Sequence, residues 1–157
     1  RELYAAHSAK ADEILFRDIP EEVVVVEFVN EDKQMLNFVR DQEKQGFFKY
    51  AGLLAKPKIG DLLWVRFDGG SRDGFYRIFS ARKADKGTTS PAIRHFEAKL
   101  KVGQGKNFGF AGDVFVEPKM LSAGSLFDGL QVRGRAILSF NKSKGNWAWK
   151  AIEISPA

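Results

Sequence analysis

The sequence contains no cysteine. Disulfides and thiolate metal sites are thereby excluded, and the absence suits a reducing compartment, so a cytoplasmic location is expected. Histidine is almost as scarce. With only His7 and His95, a histidine-built metal site or a nucleophile–histidine–acid triad has little material, and general acid–base work falls most often to that residue. No catalysis, metal or cofactor is therefore expected of this segment. No apolar run approaches the roughly 20 residues of a transmembrane helix, and no signal-peptide pattern opens the chain, so no membrane partner is expected. The chain begins at Arg1 rather than at Met. This points to a piece of a longer protein, with upstream domains, a catalytic one among them, as possible neighbours.

What is present describes a globular chain. Hydrophobic residues make up 44% and charged residues 29% of 157 positions, enough for one ordinary domain or two small ones. The net charge of +5 is unevenly spread: residues 1–21 carry −2, residues 22–90 carry +2 and residues 91–157 carry +5. A basic final third favours a polyanion partner there, although a modest excess of this kind also serves solubility alone.

Residues 1–20 read as an N-terminal helix: Leu3, His7, Ala11 and Leu15 share a face and Pro20 supplies the stop. From Glu22 the helical period gives way to short β-branched and aromatic runs separated by turn residues. Five such runs over 21–83 predict a first small barrel. A polar, turn-rich stretch over 84–92 predicts a linker. A second set of five runs over 93–157 predicts a second barrel. The fold class expected is mainly β: two five-stranded barrels of the OB (oligonucleotide-binding) type in tandem, preceded by a short helix.

The two halves align as copies. Leu36-Asn37-Phe38-Val39 falls where Phe108-Gly109-Phe110-Ala111 does, and Gly46-Phe47-Phe48 falls where Val114-Phe115-Val116 does. Gly60 answers Gly129, and the run from Phe75 answers the run from Trp147. Near-constant offsets through five runs argue for a duplicated domain.

The segment Lys106-Asn107-Phe108-Gly109-Phe110, followed by Asp113-Val114-Phe115-Val116, concentrates the chemistry. Flat rings meet base faces, a glycine lets a base lie close, and a cation holds the phosphate. Alternation points Phe108 and Phe110 to one side, and places Phe115 outward if Val114 and Val116 are core. The same alternation also permits Phe108 and Phe110 to be core. Lys99, Lys101, Arg133 and Arg135 alternate with apolar or small residues, and Lys142 and Lys144 lie in a turn. These are the candidate phosphate contacts, or a solvated strand face. Trp147 and Trp149 share a face, opposite Ile152 and Ile154 by strict alternation, and are candidates for stacking or, more naturally, for contact with the other barrel or the N-terminal helix.

These motifs resemble those of the cold-shock domain, a five-stranded OB barrel that binds single-stranded RNA and DNA. The family carries a basic-Gly-Phe-Gly-Phe motif on its second strand and Asp-Val-Phe-Val-His on its third. The resemblance covers about residues 93–155, and the first half joins it through the repeat. It implies that Phe108, Phe110 and Phe115 stack on bases, with Lys106 on the phosphates. This chain departs from the pattern at three positions. Lys101 stands where the family has a strand-one tryptophan, Asn107 replaces the motif's first glycine, and Glu117 replaces the strand-three histidine. Each change lowers the expected affinity.

In the first barrel the alignment offers Leu36, Phe38 and Phe47 as equivalents, with Lys44, Lys49 and Tyr50 nearby. The function expected is a module that binds single-stranded RNA or DNA. The alternative is a protein-interaction or scaffold module of the same fold.

Overall fold

The computed structural model describes residues 19–157. The helix expected over 1–20 falls almost wholly outside the described residues. Among those described, the first half forms β1 (Glu22–Asn30), β2 (Met35–Asp41), β3 (Lys44–Lys49), β4 (Leu62–Phe67) and β5 (Ile78–Lys83). The second half forms β6 (Ile93–Val102), β7 (Gly109–Ala111), β8 (Val114–Val116), a short helix α1 (Pro118–Ala123), β9 (Gln131–Asn141) and β10 (Asn146–Pro156).

The second set closes into a barrel in the order β10-β8-β7-β6-β9, with β10 running parallel to β8. The first set is a curled sheet in the order β3-β2-β1-β4-β5, which corrects the expectation of two closed barrels. β3 meets the segment leading into β5 at a parallel bridge, Phe47 with Phe75. Phe47 N–H donates to the Gly74 carbonyl at 2.9 Å, and Tyr76 N–H donates to the Phe47 carbonyl at 2.9 Å. The bridge stands where β8 and β10 pair in the second barrel.

The repeat is geometric as well as sequential. Gly60 N–H donates to the Val26 carbonyl at 2.8 Å, and Gly129 N–H donates to the Leu100 carbonyl at 2.7 Å. Both glycines sit at φ +91°, a region that disfavours residues with a Cβ. Val24 faces Leu63 across β1 and β4, as Ala98 faces Val132 across β6 and β9.

Each half buries its own core. Val24, Val26, Leu36, Phe38, Phe48, Leu63, Val65 and Phe67 fill the first. Its aromatics interlock: Phe38 lies 5.7 Å from Phe48, 5.2 Å from Phe67 and 5.3 Å from Tyr76. The second core uses smaller residues, Leu100, Ala111, Val114, Val116, Val132, Ala136 and Ala151, with Leu121 of α1 at its edge.

A third cluster joins the halves. Val25 and Val39, on the outer face of the first sheet, pack with Ala92, Ile137 and Leu138, and with Trp147, Trp149 and Ile152 at the margin. Ser139 donates to Glu27 across this boundary at 2.9 Å. Both tryptophans thus serve the junction, and Trp147 also meets Phe140 at 5.4 Å. The strict alternation that sets Trp149 opposite Ile154 does not hold along β10. A bulge between Ala151 and Glu153 resets the register, so Trp149, Ala151 and Ile154 all reach the second core.

Candidate nucleic-acid interface

On β7, Gly109 and Ala111 are buried while Phe110 between them is 42% exposed. On β8, Val114 and Val116 are buried and Phe115 is half-buried on the outer side. Phe110 and Phe115 stand directly opposite in the ladder. Phe108, just before β7, completes a triangle of rings. The centroid distances are 6.2 Å for Phe108–Phe110, 5.7 Å for Phe108–Phe115 and 5.7 Å for Phe110–Phe115. Alternation alone leaves open whether these rings are core; in the structure Phe110 is outward, and the core beneath is built from Gly109, Ala111, Val114 and Val116.

The ladders extend this cluster into a row across four strands. Lys101 of β6 faces Phe110, Phe110 faces Phe115, and Phe115 faces Lys150 of β10. Cations therefore bracket the rings on both sides. Lys106 adds a third, its Nζ 6.0 Å from the Phe108 centroid. Lys101, Lys106 and the neighbouring Lys99 have no ion-pair partner among the described residues, while Lys150 lies 3.8 Å from Glu117. Sequence reasoning missed Lys150. Its place depends on the parallel pairing of β8 with β10, which joins segments distant in the chain.

Both carboxylates flanking β8 are paired. Glu117 shares its charge with Lys150. Asp113 forms an ion pair with Arg94, whose hydrogen bond is the main reason its carboxyl is held below the usual aspartate value. The Arg94 guanidinium also lies 4.2 Å from the Trp149 ring.

The remaining candidates are not brought to this row. Arg133 and Arg135 line a separate groove of about 740 Å³ with His95, Glu97 and Glu153. There Glu153 grips Arg135 through two contacts of 2.9 and 2.5 Å, so Arg135 is not an open phosphate contact. Lys142 and Lys144 are exposed in the β9–β10 turn. Trp147 and Trp149 are committed to the junction between the halves.

In the first half the expected equivalents need correcting. Phe38 is 0% exposed and Leu36 is fully buried, so neither can meet a base. Tyr50 is buried as well. Lys44 is held by Glu22 at 2.9 Å and sits 3.9 Å from the Phe67 ring. Phe47 and Lys49 do remain on the outer side. The cause is a one-residue slip in the alignment of the second strands: Val26 faces Phe38 as Leu100 faces Ala111, so Phe38 answers Ala111 rather than Phe110. A shift of one residue exchanges the faces of a strand.

Beside the ring cluster lies a second groove, of about 560 Å³, lined by Lys106, Asn107, Ser122, Ser125 and Phe127 among others. Phe127 is 60% exposed at its rim. It sits in an irregular connection, where neither alternation nor spacing singles it out. Among the described residues no group of three or more His, Asp or Glu could hold a metal ion, and no helix is long and apolar enough to cross a membrane.

Comparison with known families agrees with this architecture. Residues 16–79 match S1/CSD-like domain 1 of the TOTE conflict systems, and residues 94–154 match S1/CSD-like domain 2 of the same systems. No curated protein and no solved structure matches the chain.

Proposed function

From a chain that belongs to the S1/CSD-like domains of the TOTE conflict systems and carries two of them in tandem, we propose a module that binds single-stranded nucleic acid, without catalysis of its own. The observation that carries the proposal is the outward triangle of Phe108, Phe110 and Phe115 with Lys101 and Lys106 unpaired at its border. Rings at 5.7–6.2 Å separations form a broken, half-exposed surface that base faces can cover. The lysines lie where a phosphodiester backbone would pass. RNA and DNA share both elements, and stacking tolerates every base, so the proposal is for little sequence preference.

The test is a titration of a labelled single-stranded oligonucleotide at low and high salt. It compares the wild type with Phe108→Ala/Phe110→Ala/Phe115→Ala. Wild-type affinity should fall as salt rises. The variant should lose about 1–3 kcal/mol per contacted base while keeping its β-sheet circular dichroism. A wild type with no salt-sensitive binding would sink the proposal and leave protein interaction as the role of the two halves.

A further inference from the structure

We infer that the first sheet carries a second base-stacking face, built from Phe28, Phe47 and Phe75, that supplies a salt-insensitive share of binding to the same single strand. This rests on the proposed function of the second barrel, which it extends to a site on the other half.

The argument starts from register. In the second barrel the outward row reads Lys101, Phe110, Phe115, Lys150. In the first sheet, Phe28 faces Asn37, Asn37 faces Phe47, and Phe47 bridges to Phe75. Position by position, the rows are equivalent: Phe47 answers Phe115, Asn37 stands where the second row has Phe110, and Phe28 and Phe75 replace the lysines. Where the second row has lysines at its ends and rings in the middle, the first has rings at both ends.

Phe28 is 54% exposed on a strand whose neighbouring valines are core, and it belongs to none of the buried clusters. Its outward direction comes from a bulge between Val26 and Phe28, which leaves Val29 to pack on the core instead. The rings of Phe47 and Phe75 lie 5.6 Å apart. Phe75 is turned outward because the next residue, Tyr76, is anchored inward against Phe38.

The chemistry of the row fits a base better than an aliphatic ligand. Flat rings flank an exposed Asn37, whose amide both donates and accepts hydrogen bonds as base edges do. Charge is close to balanced around it. Lys33, Lys49 and Arg72, the last bridged to Phe75, stand against Glu31, Asp32 and Asp73. Binding here would therefore release few counterions and respond weakly to salt. The face also begins at the boundary between the halves: Glu27, adjacent to Phe28, accepts the hydrogen bond from Ser139.

The test uses the full chain and a labelled oligodeoxythymidine long enough to span both halves, titrated over a range of salt. Phe28→Ala should weaken binding about tenfold at every salt concentration, leaving the slope of affinity against salt unchanged. Phe28→Leu, which keeps apolar bulk without a flat ring, should behave like Phe28→Ala, and Phe28→Trp should retain wild-type affinity. Lys101→Ala should instead make the slope shallower by about one. If Phe28→Ala and Phe28→Leu bind as wild type does while the Phe108/Phe110/Phe115 variant loses binding, the inference is overturned and the proposed function stands. A concentration-dependent dimer abolished by Phe28→Ala would assign the face to a second copy of the chain and overturn it equally. Failure of the wild type to bind would remove the proposed function and this inference with it.

Discussion

A Cβ placed on Gly109 would stand 2.8 Å from the Lys101 carbonyl oxygen, inside the contact distance that backbone oxygen allows. It would also press on Val102 at 3.0 Å and on Leu100 at 3.2 Å. The middle glycine of the Phe-Gly-Phe triplet therefore faces the interior and lets β7 lie close against β6. It does not make room for a base, because the outward side of the strand carries the Phe110 ring. The triplet's pattern has one cause on each side of the strand.

The first prediction follows from that packing. Gly109→Ala should destabilise the fold by about 1–3 kcal/mol, since the nearest obstacle is backbone and cannot swing aside. Denaturant unfolding with an unchanged slope and a lower midpoint would show it. Phe110→Ala, which removes an exposed ring, should move that midpoint much less.

Lys101 occupies the position where cold-shock domains carry a tryptophan, directly across from Phe110. Lys101→Trp should add a fourth ring to the cluster and remove one cation. Oligonucleotide affinity should rise at high salt, and the slope of affinity against salt should become shallower by about one. A variant that binds more weakly at all salts would show that Lys101 contributes by more than charge.

Three carboxylates tied to arginines or lysines are shifted in the same direction. Arg135 hydrogen-bonds Glu153 and Arg94 hydrogen-bonds Asp113, each holding its carboxyl below the usual value. Burial opposes ionisation of Glu22, yet hydrogen bonds from Lys44 and Arg40 outweigh it and lower its pKa. Carboxyls depressed on folding stabilise the native state above their ordinary values of 4.5 for glutamate and 3.8 for aspartate. That contribution is lost as pH falls through the lower folded-state values. The melting temperature should therefore be level near neutral pH and decline below about pH 4.5, with these pairs contributing less at high salt. A melting temperature unchanged down to about pH 3 would show that they contribute nothing.

The junction supplies the fourth prediction. Trp147 packs among Val25, Val39, Ile137 and Leu138 rather than facing solvent as a free ring. Trp147→Ala should cost about 2–3 kcal/mol, toward the low end for removing a large aromatic because the ring is only partly buried. At temperatures where the variant is folded, its affinity for a short oligonucleotide confined to the second barrel should match wild type. A loss of affinity without a loss of stability would return Trp147 to the stacking surface.

Much of the second barrel's face was legible because alternation is a local property. Val114 and Val116 bracket Phe115, and Gly109 and Ala111 bracket Phe110, so each ring lies opposite its neighbours, and the burial of those neighbours then decides which side is outward. Phe38 shows where that logic stops. Its own strand alternates well, but aligning it with Phe110 required a register that no local residue specifies, and a slip of one placed a core ring on the surface. The β10 bulge resets every position after it, so Ile154 comes to the same face as Trp149, which strict alternation would have placed opposite.

The sequence by itself determined the strand content, the tandem repeat, the cold-shock-like character and the clustering of Phe108, Phe110 and Phe115 on adjoining strands. Each depends on contacts between residues close in the chain or on composition. The tertiary structure alone decided which strands meet. It paired β8 with β10 and so placed Lys150 in the row, committed the tryptophans to the junction, gave Arg135 to Glu153, and lined up Phe28 with Phe47 and Phe75. Such pairings bring together segments far apart in sequence, and their register is chosen by the total burial of both faces.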